Sequence, residues 1–363
     1  MKNLGIKVLH VSHELLDIKT ERVAHTNVKY GCKVFFAGPY RDAPWGFNTA
    51  LFHRLYEVKF DRATIVGVPH KVAKIEEKIR GIVKECKPDL IHAHNVFAAR
   101  LVMDLGLPFV YDAHEFWSER ARVSNRLRHY YRRLIWPLWE REVLKNAHAV
   151  ITVSDTIAEH FRKFNDNVFV VPNFPRLVEV EHLKPKKDPN EFSSVTVGKF
   201  SYEESPKRSV EGFLDLFRKY DLGKLVVIGD ANLKTSPPIY SKGYLYHDQF
   251  LEELTHHYLG IIPFKKHRYH AYACPTKAFE YVHAGLPVVL CSDYQYAIQI
   301  LKDVALPFDD YRELVEIIRY YKDNKEEAAE LGIKALNLAR RNFTWDLYEQ
   351  NLIKAYEIAL KQH

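Results

Sequence analysis

The stretch Pro275–Val289, PTKAFEYVHAGLPVV, reads as a helix, a tight turn and the start of a buried strand. Pro275 suits the first helical position, where a missing N–H costs nothing. Ala278, Phe279 and Val282 fall on one helical face and leave Lys277 and Glu280 together on another. Gly285 can take the left-handed conformation that stops a helix, and Pro287 prevents its continuation. Val288–Leu290 then begins an apolar, β-branched run. Free N–H groups and a lysine at a helix start make an anion site. Glu280, one turn further in, is placed to accept hydrogen bonds from hydroxyls beside that anion. Phosphate next to a diol is what a nucleotide offers. The plainer reading is a surface helix with an i,i+3 ion pair.

Outward from this segment the chain alternates strands and helices. In the first half, strands are expected at Ile6–Val11, Cys32–Ala37, Leu90–Ala93, Phe109–Asp112, Ala149–Val153 and Val168–Val171. Helices are expected at Glu21–Tyr30, Val72–Cys86 and Thr156–Phe164, the last capped by Ser154 or Asp155. Residues 174–190 hold Pro175, Pro185 and Pro189 with mixed charge and no period, which predicts a linker. The rhythm restarts with strands at Ser194–Val197, Leu225–Ile228, Gly243–Leu245 and Leu259–Pro263, and helices near Val210–Tyr220 and Asp248–Thr255. The tail from Tyr311 is helical. The expected organisation is α/β: two doubly wound Rossmann-like parallel-sheet domains facing across a cleft, over 1–173 and 191–344. A last helix within 345–363 is expected to cross back toward the first domain.

Composition agrees with two ordinary cores. Of 363 residues, 47% are hydrophobic and 27% charged. Cys32, Cys86, Cys274 and Cys291 lie far apart, against a disulfide framework or a thiolate zinc site. No apolar run approaches the roughly 20 residues of a spanning helix. The first strand starts at once, so a leader is not expected and a cytoplasmic protein is. Residues 1–175 hold 27 Lys+Arg against 19 Asp+Glu, and the remainder 26 against 27. One half is basic and the other neutral, so different partners are expected for each.

Ligands of open parallel sheets bind beyond the carboxyl ends of the strands. In the first half those ends carry His13, then His92, His94 and Asn95 in LIHAHN, then Asp112, His114 and Glu115 in YDAHE. In the second half they carry Gly198 and Lys199, Gly229 and Asp230, and the helix that begins at Pro275. The first set is imidazole and carboxylate; the second suits phosphate.

At this point the chain resembles retaining glycosyltransferases of family 4, which have the GT-B fold. The resemblance rests on PDLIHAHN (88–95), VYDAHEFW (110–117), AHAVITVSD (147–155), VVPNF (170–174), VGKF (197–200) with Lys207, VVIGD (226–230) and the 275–289 segment, in the family's order. It spans nearly the whole chain. It implies a nucleotide-diphosphate sugar held by the second domain, and a glycan or lipid-linked acceptor held by the first. Glu280 matches the glutamate on the donor ribose, and Thr276 and Lys277 match the turn whose amides lie near the diphosphate. Lys199 and Lys207 match a basic pair on that diphosphate, with Gly198, Asp230 and Pro275 around them. His114 matches a residue near the reacting sugar. The acceptor side would use His13, His94, Asn95, Asp112, His114 and Glu115. Cofactor and metal are not implied. Tyr272 departs from the family, standing where many relatives have a second glutamate, and SHELLDIKTERV replaces a frequent glycine pair after the first strand.

Two other features have alternatives. His92 and His94 share a strand face and with Asp112 and His114 suggest a metal hydrolase, but further ligands at a characteristic spacing are lacking. Arg120, Arg122, Arg126, Arg128, Arg132 and Arg133 stand between Ser118 and Trp136 against one glutamate. They read as a solvated helix face or as a surface for anionic lipid on the cytoplasmic side of a membrane. No recognition motif accompanies them, so nucleic acid is not expected. Rival readings of the whole are a sugar-nucleotide epimerase, a phosphorylase, or a non-catalytic subunit of a complex.

Overall fold

The computed structural model describes residues 3–41, 48–61, 69–123, 130–200 and 209–362. The chain divides into two compact units, Met1–Pro172 with Tyr348–His363, and Asn173–Leu347. The first is built on a seven-stranded sheet: β1 (Lys7–Ser12), β2 (Lys33–Gly38), β3 (Arg54–Glu57), β4 (Leu90–His94), β5 (Phe109–Ala113), β6 (Ala149–Thr152) and β7 (Val168–Val170). Their order is β3-β2-β1-β4-β5-β6-β7, parallel at every pairing. Every residue of β4, β5 and β6 is buried, as expected when helices cover both faces of a parallel sheet.

The second unit repeats the plan with β8 (Ser193–Val197), β9 (Lys224–Ile228), β10 (Ile239–Ser241), β11 (Leu259–Ile262), β12 (Val288–Cys291) and β13 (Ala305–Phe308). Their order is β10-β9-β8-β11-β12-β13, again all parallel. In each sheet the order reverses beside the first strand, between β1 and β4 and between β8 and β11. That reversal opens the crevice in which doubly wound sheets bind ligands.

Three strands lie outside the sequence reading, all at sheet edges. The short β3, RLYE, has no buried residue and is charged at both ends (Arg54 and Glu57), and β13 carries Pro307, which an edge tolerates. A strand expected at Gly243–Leu245 forms instead at Ile239–Ser241. Gly243 has φ +60° and its carbonyl accepts the Gly229 N–H at 2.7 Å, which makes it a turn.

Residues 174–190, expected as a linker, belong to the second unit. Phe174, Val180 and Leu183 are fully buried, and the Phe174 ring packs 4.4 Å from Phe279 and 5.3 Å from Phe343. The prolines mask these three apolar anchors in the sequence.

The helix Glu349–Lys361 belongs to the first unit and packs on β4–β7. It is fastened at its start: Lys29 Nζ meets Glu349 Oε2 at 2.5 Å, Thr26 Oγ1 donates to Glu349 Oε1 at 3.2 Å, and Asn351 Nδ2 donates to Val170 O at 2.9 Å. Among the described residues, no helix is long and apolar enough to cross a membrane.

Candidate active site

In the second unit the opening segment folds close to its reading. The helix runs Thr276–His283, and Gly285 stops it with φ +75°. Leu286 N–H reaches back to Tyr281 O (2.9 Å) and Gly285 N–H to Val282 O (3.1 Å), the paired bonds of a Schellman stop. Pro275 is not the first helical residue; its extended backbone (φ −72°, ψ 111°) makes it the cap. Lys187 Nζ donates to Gly285 O at 3.0 Å, a cation at the negative end of the helix.

The helix start lies on the β8 side of the switch point. Lys277 Nζ donates to Val197 O at 2.6 Å and sits 4.6 Å from the centre of the Phe264 ring. Gly198, the next residue after Val197, would bring an added Cβ to 3.9 Å from Lys277 Nζ. Thr276 Oγ1 accepts from Asn173 Nδ2 at 2.9 Å. Glu280 is buried, one turn in. Lys199 is exposed, with Nζ 5.9 Å from the Tyr244 ring centre. Lys207 lies outside the described residues. Asp230 is occupied by backbone: Oδ2 accepts Phe200 N–H (2.5 Å) and Oδ1 accepts Asn232 N–H (3.1 Å). It clamps the turn after β8.

In the first unit the expected residues gather at the ends of β1, β4 and β5. Asn95 is the knot. Its Nδ2 donates to Glu14 Oε2 (2.9 Å), and its Oδ1 accepts His114 N–H (3.1 Å) and Trp117 Nε1–H (3.0 Å). It holds φ +66°, a conformation few residues other than glycine adopt. Glu140, buried, accepts the Trp117 and Ser118 N–H groups at 3.0 and 2.9 Å and so anchors the turn after His114.

His94 and Asp112, expected to contact the acceptor, are fully buried and stand behind His114. The pleat of β4 and β5 turns both side chains into the layer beneath the strand ends. Asp112 Oδ1 takes the Lys19 ammonium at 2.6 Å, and Oδ2 lies 3.1 Å from His92 Nε2 and 3.4 Å from His114 Nε2. His13 is also buried, its ring 4.8 Å from Phe97 and 5.7 Å from Trp117. His114 keeps 13% of its side chain exposed, and Glu115, less buried than these, pairs with Arg120 at 2.5 Å. These two are the partly open members of the set.

Sequence reasoning missed His10, Lys19, Asn27 and Tyr356, which complete the cluster. His10 Nδ1 lies 3.0 Å from His94 Nε2, Asn27 Nδ2 is 2.8 Å from His10 Nε2, and Tyr356 OH is 2.8 Å from His92 Nδ1. A signal existed: His10 interrupts the apolar strand VLHVS and pairs in register with His92. Burial lowers the pKa of His10, His92 and His94, most strongly for His10 and His94, against the pull of Asp112. Burial would raise the Asp112 carboxyl, but the Lys19 ammonium, with His114 and His92, holds it well below the usual range.

Two triplets here, His10–His92–His94 and His94–Asp112–His114, have ligand atoms close enough to share a metal ion. Lys19 already neutralises Asp112, so a divalent ion would leave excess positive charge in the interior.

Of the six arginines, Arg120 is paired with Glu115 and lies 4.5 Å from the Trp117 ring centre, and Arg122 is paired with Glu119. Arg132 sits 5.1 Å from the Trp136 ring centre, while Arg126 and Arg128 lie outside the described residues. The helix Tyr130–Asn146 exposes Tyr130, Leu134 and Leu138, spaced by one turn each.

Residues 20–175 match the sequence model of the family described as Glycosyltransferase Family 4. The whole chain has the GT-B fold. It is similar to a sucrose-phosphate synthase from Thermosynechococcus elongatus, at 13% identity and TM-score 0.77, over 99% of this chain and 100% of that one. It is also similar to Anabaena HepE, a structure in complex with UDP and glucose (14%, TM-score 0.65, 97% and 99% covered). A third is a putative UDP-N-acetylglucosamine 2-epimerase from Listeria monocytogenes (11%, TM-score 0.61, 99% and 97% covered). No curated protein sequence matches the chain.

Proposed function

We propose that this protein is a retaining glycosyltransferase that moves a sugar from a nucleotide-diphosphate sugar to a hydroxyl of a glycan or lipid-linked acceptor. The observation that carries the reading is the meeting, at the β8–β11 switch point, of Gly198 with the start of the helix Thr276–His283. There Lys277 lies across the β8 end and Glu280 stands one turn away. In this reading Glu280 accepts the ribose hydroxyls, and the amides at Thr276–Lys277 face the diphosphate with Lys199 and Lys207. The family match of residues 20–175, and the UDP in the complex of the HepE neighbour, support it.

The chemistry follows from charge. The anomeric carbon–oxygen bond to the diphosphate breaks, a bond to the acceptor oxygen forms, and the acceptor proton passes to the departing phosphate oxygen. Preplaced cations and amides stabilise the charge on that leaving group. No metal is assigned a step.

A thermal-shift panel of UDP, GDP, ADP and dTDP sugars tests the donor site. At least one should raise the melting temperature; no shift with any of them sinks the assignment. Product analysis with the stabilising donor separates transfer from epimerisation, the reading that the Listeria neighbour keeps in view. A membrane-bound acceptor on the cytoplasmic face is supported by the exposed Tyr130, Leu134 and Leu138, which face outward with Arg141 and Lys145 further along the helix.

A further inference from the structure

The loop after β1 carries a carboxylate that the first unit holds in one place. Asn95 Oδ1 accepts two N–H groups, from the His114 backbone at 3.1 Å and from Trp117 Nε1 at 3.0 Å. Both can only donate, so the other end of the amide is its NH₂, and that group donates to Glu14 Oε2 at 2.9 Å. The Glu14 backbone is pinned as well: Ser12 Oγ accepts its N–H at 3.1 Å and donates to its carbonyl at 3.0 Å. One amide thus fixes both Glu14, after β1, and the His114 backbone, after β5. The Glu14 side chain is 42% exposed, against 13% for His114.

The second oxygen of Glu14 is the open one. Oε1 stands 3.7 Å from His13 Nε2, beyond hydrogen-bond reach. His13 is buried, and its Nδ1 has no hydrogen-bond partner among the described residues. Burial takes His13 to about 3, so the ring is neutral and does not cancel the charge of Glu14. Arg120, the charge that acts most strongly on Glu14, is paired with Glu115 at 2.5 Å. Asp17 adds a third carboxylate: Oδ1 caps the first helix at the Thr20 N–H (2.8 Å), and Oδ2 lies 3.7 Å from His114 Nδ1. Residues 1–175 are basic as a whole, yet beside His114 stand Glu14, Asp17 and Glu115 with one guanidinium.

We infer that Glu14 Oε1 accepts the hydrogen bond of an acceptor-sugar hydroxyl, and that the end of the acceptor bound beside His114 is uncharged. This rests on the reading of the first unit's strand ends as the acceptor side. A carboxylate only accepts, so its partner has to donate. A hydroxyl does that and still answers the neutral His13 ring whichever nitrogen carries its proton. A phosphate or carboxylate on the acceptor would offer Glu14 no proton and would meet like charges. Any phosphate that joins the acceptor to a lipid is therefore held away from this opening. The sequence SHELLD, which stands in place of a glycine pair, is what supplies the carboxylate.

The test is a saturation-transfer NMR titration of the full chain at pH 8. The probes are the methyl glycosides of glucose, galactose, mannose and N-acetylglucosamine and the 6-phosphates of the same sugars, with and without the stabilising nucleotide diphosphate. At least one neutral glycoside is expected to bind, and its 6-phosphate to bind about 10-fold more weakly or worse. Glu14→Ala should weaken the neutral glycoside roughly 10-fold or more. Glu14→Gln, which keeps an acceptor for Asn95, should narrow the gap between glycoside and phosphate, and it decides if the alanine variant does not fold. Nucleotide affinity, which belongs to the second unit, should not move in either variant. Binding of phosphorylated sugars alone, binding of no sugar, or a neutral glycoside indifferent to both substitutions overturns the inference. A parent that binds a glycoside through Glu14 but binds no nucleotide defeats the proposed function and leaves the role of Glu14 standing.

Discussion

Lys19 and Asp112 form an ion pair sealed in the interior, Nζ to Oδ1 2.6 Å, with side-chain exposures of 1% and 0%. Removing one partner of such a pair strands the other charge, which costs about 3–5 kcal/mol. Lys19→Met is therefore expected to lower the urea midpoint by that equivalent, whereas Lys19→Met with Asp112→Asn should recover part of it. Equal stability of parent and single variant would contradict the pair's role.

Stability should fall steeply on mild acidification. Burial holds His10, His92 and His94 below their ordinary value of 6.5, and takes His13 to about 3. In the unfolded chain each binds a proton below about pH 6.5, while the folded chain resists it. The unfolded state thus holds more protons as pH drops. The stabilisation is full above pH 6.5 and is lost below it, by about 1.4 kcal/mol per pH unit for each histidine. Urea midpoints that stay level between pH 7.5 and 5.5 would refute this.

Glu280→Ala should weaken nucleotide binding without unfolding the protein. Loss of a hydrogen bond to a charged group is worth about 1.5–3 kcal/mol, roughly 10- to 100-fold in affinity. Titration calorimetry with the stabilising nucleotide diphosphate measures it; unchanged affinity would remove Glu280 from the site.

Asn95→Ala should destabilise by about 2–4 kcal/mol, combining lost bonds to Glu14, His114 and Trp117 with a left-handed backbone that alanine resists. Asn95→Gly relieves only the backbone part and should fall between alanine and parent in thermal denaturation. Alanine and glycine variants of equal stability would show that φ +66° carries no cost.

If the acceptor lies on an anionic membrane, Leu134→Glu with Leu138→Glu should reduce sedimentation with phosphatidylserine vesicles. Both side chains are more than half exposed, at 54% and 60%, so the fold should not suffer. Identical sedimentation of variant and parent ends the membrane reading.

Local chemistry made the second unit's site legible. Gly285, Pro287 and the apolar face of Ala278, Phe279 and Val282 all act within a few residues, so helix, stop and strand could be read in order. The first unit's site was half legible. LIHAHN and YDAHE announced strand ends, but which of their polar residues face outward depends on pleat and register. Those are set by pairing with β1, a partner far off in the chain. Tyr356 was invisible for the same reason: nothing local marks a tyrosine on an amphipathic helix as the hydrogen-bond partner of a histidine hundreds of residues earlier.

The return of residues 348–363 to the first unit also constrains the order of folding. A chain made from its N-terminus presents β1–β7 long before the helix that covers β4–β7 exists. All of residues 173–347 must be synthesised first. Until then the histidine layer lacks Tyr356, and Thr26 and Lys29 lack Glu349. The contacts that join residues 348–363 to the first unit can therefore form only after the whole second unit has been synthesised.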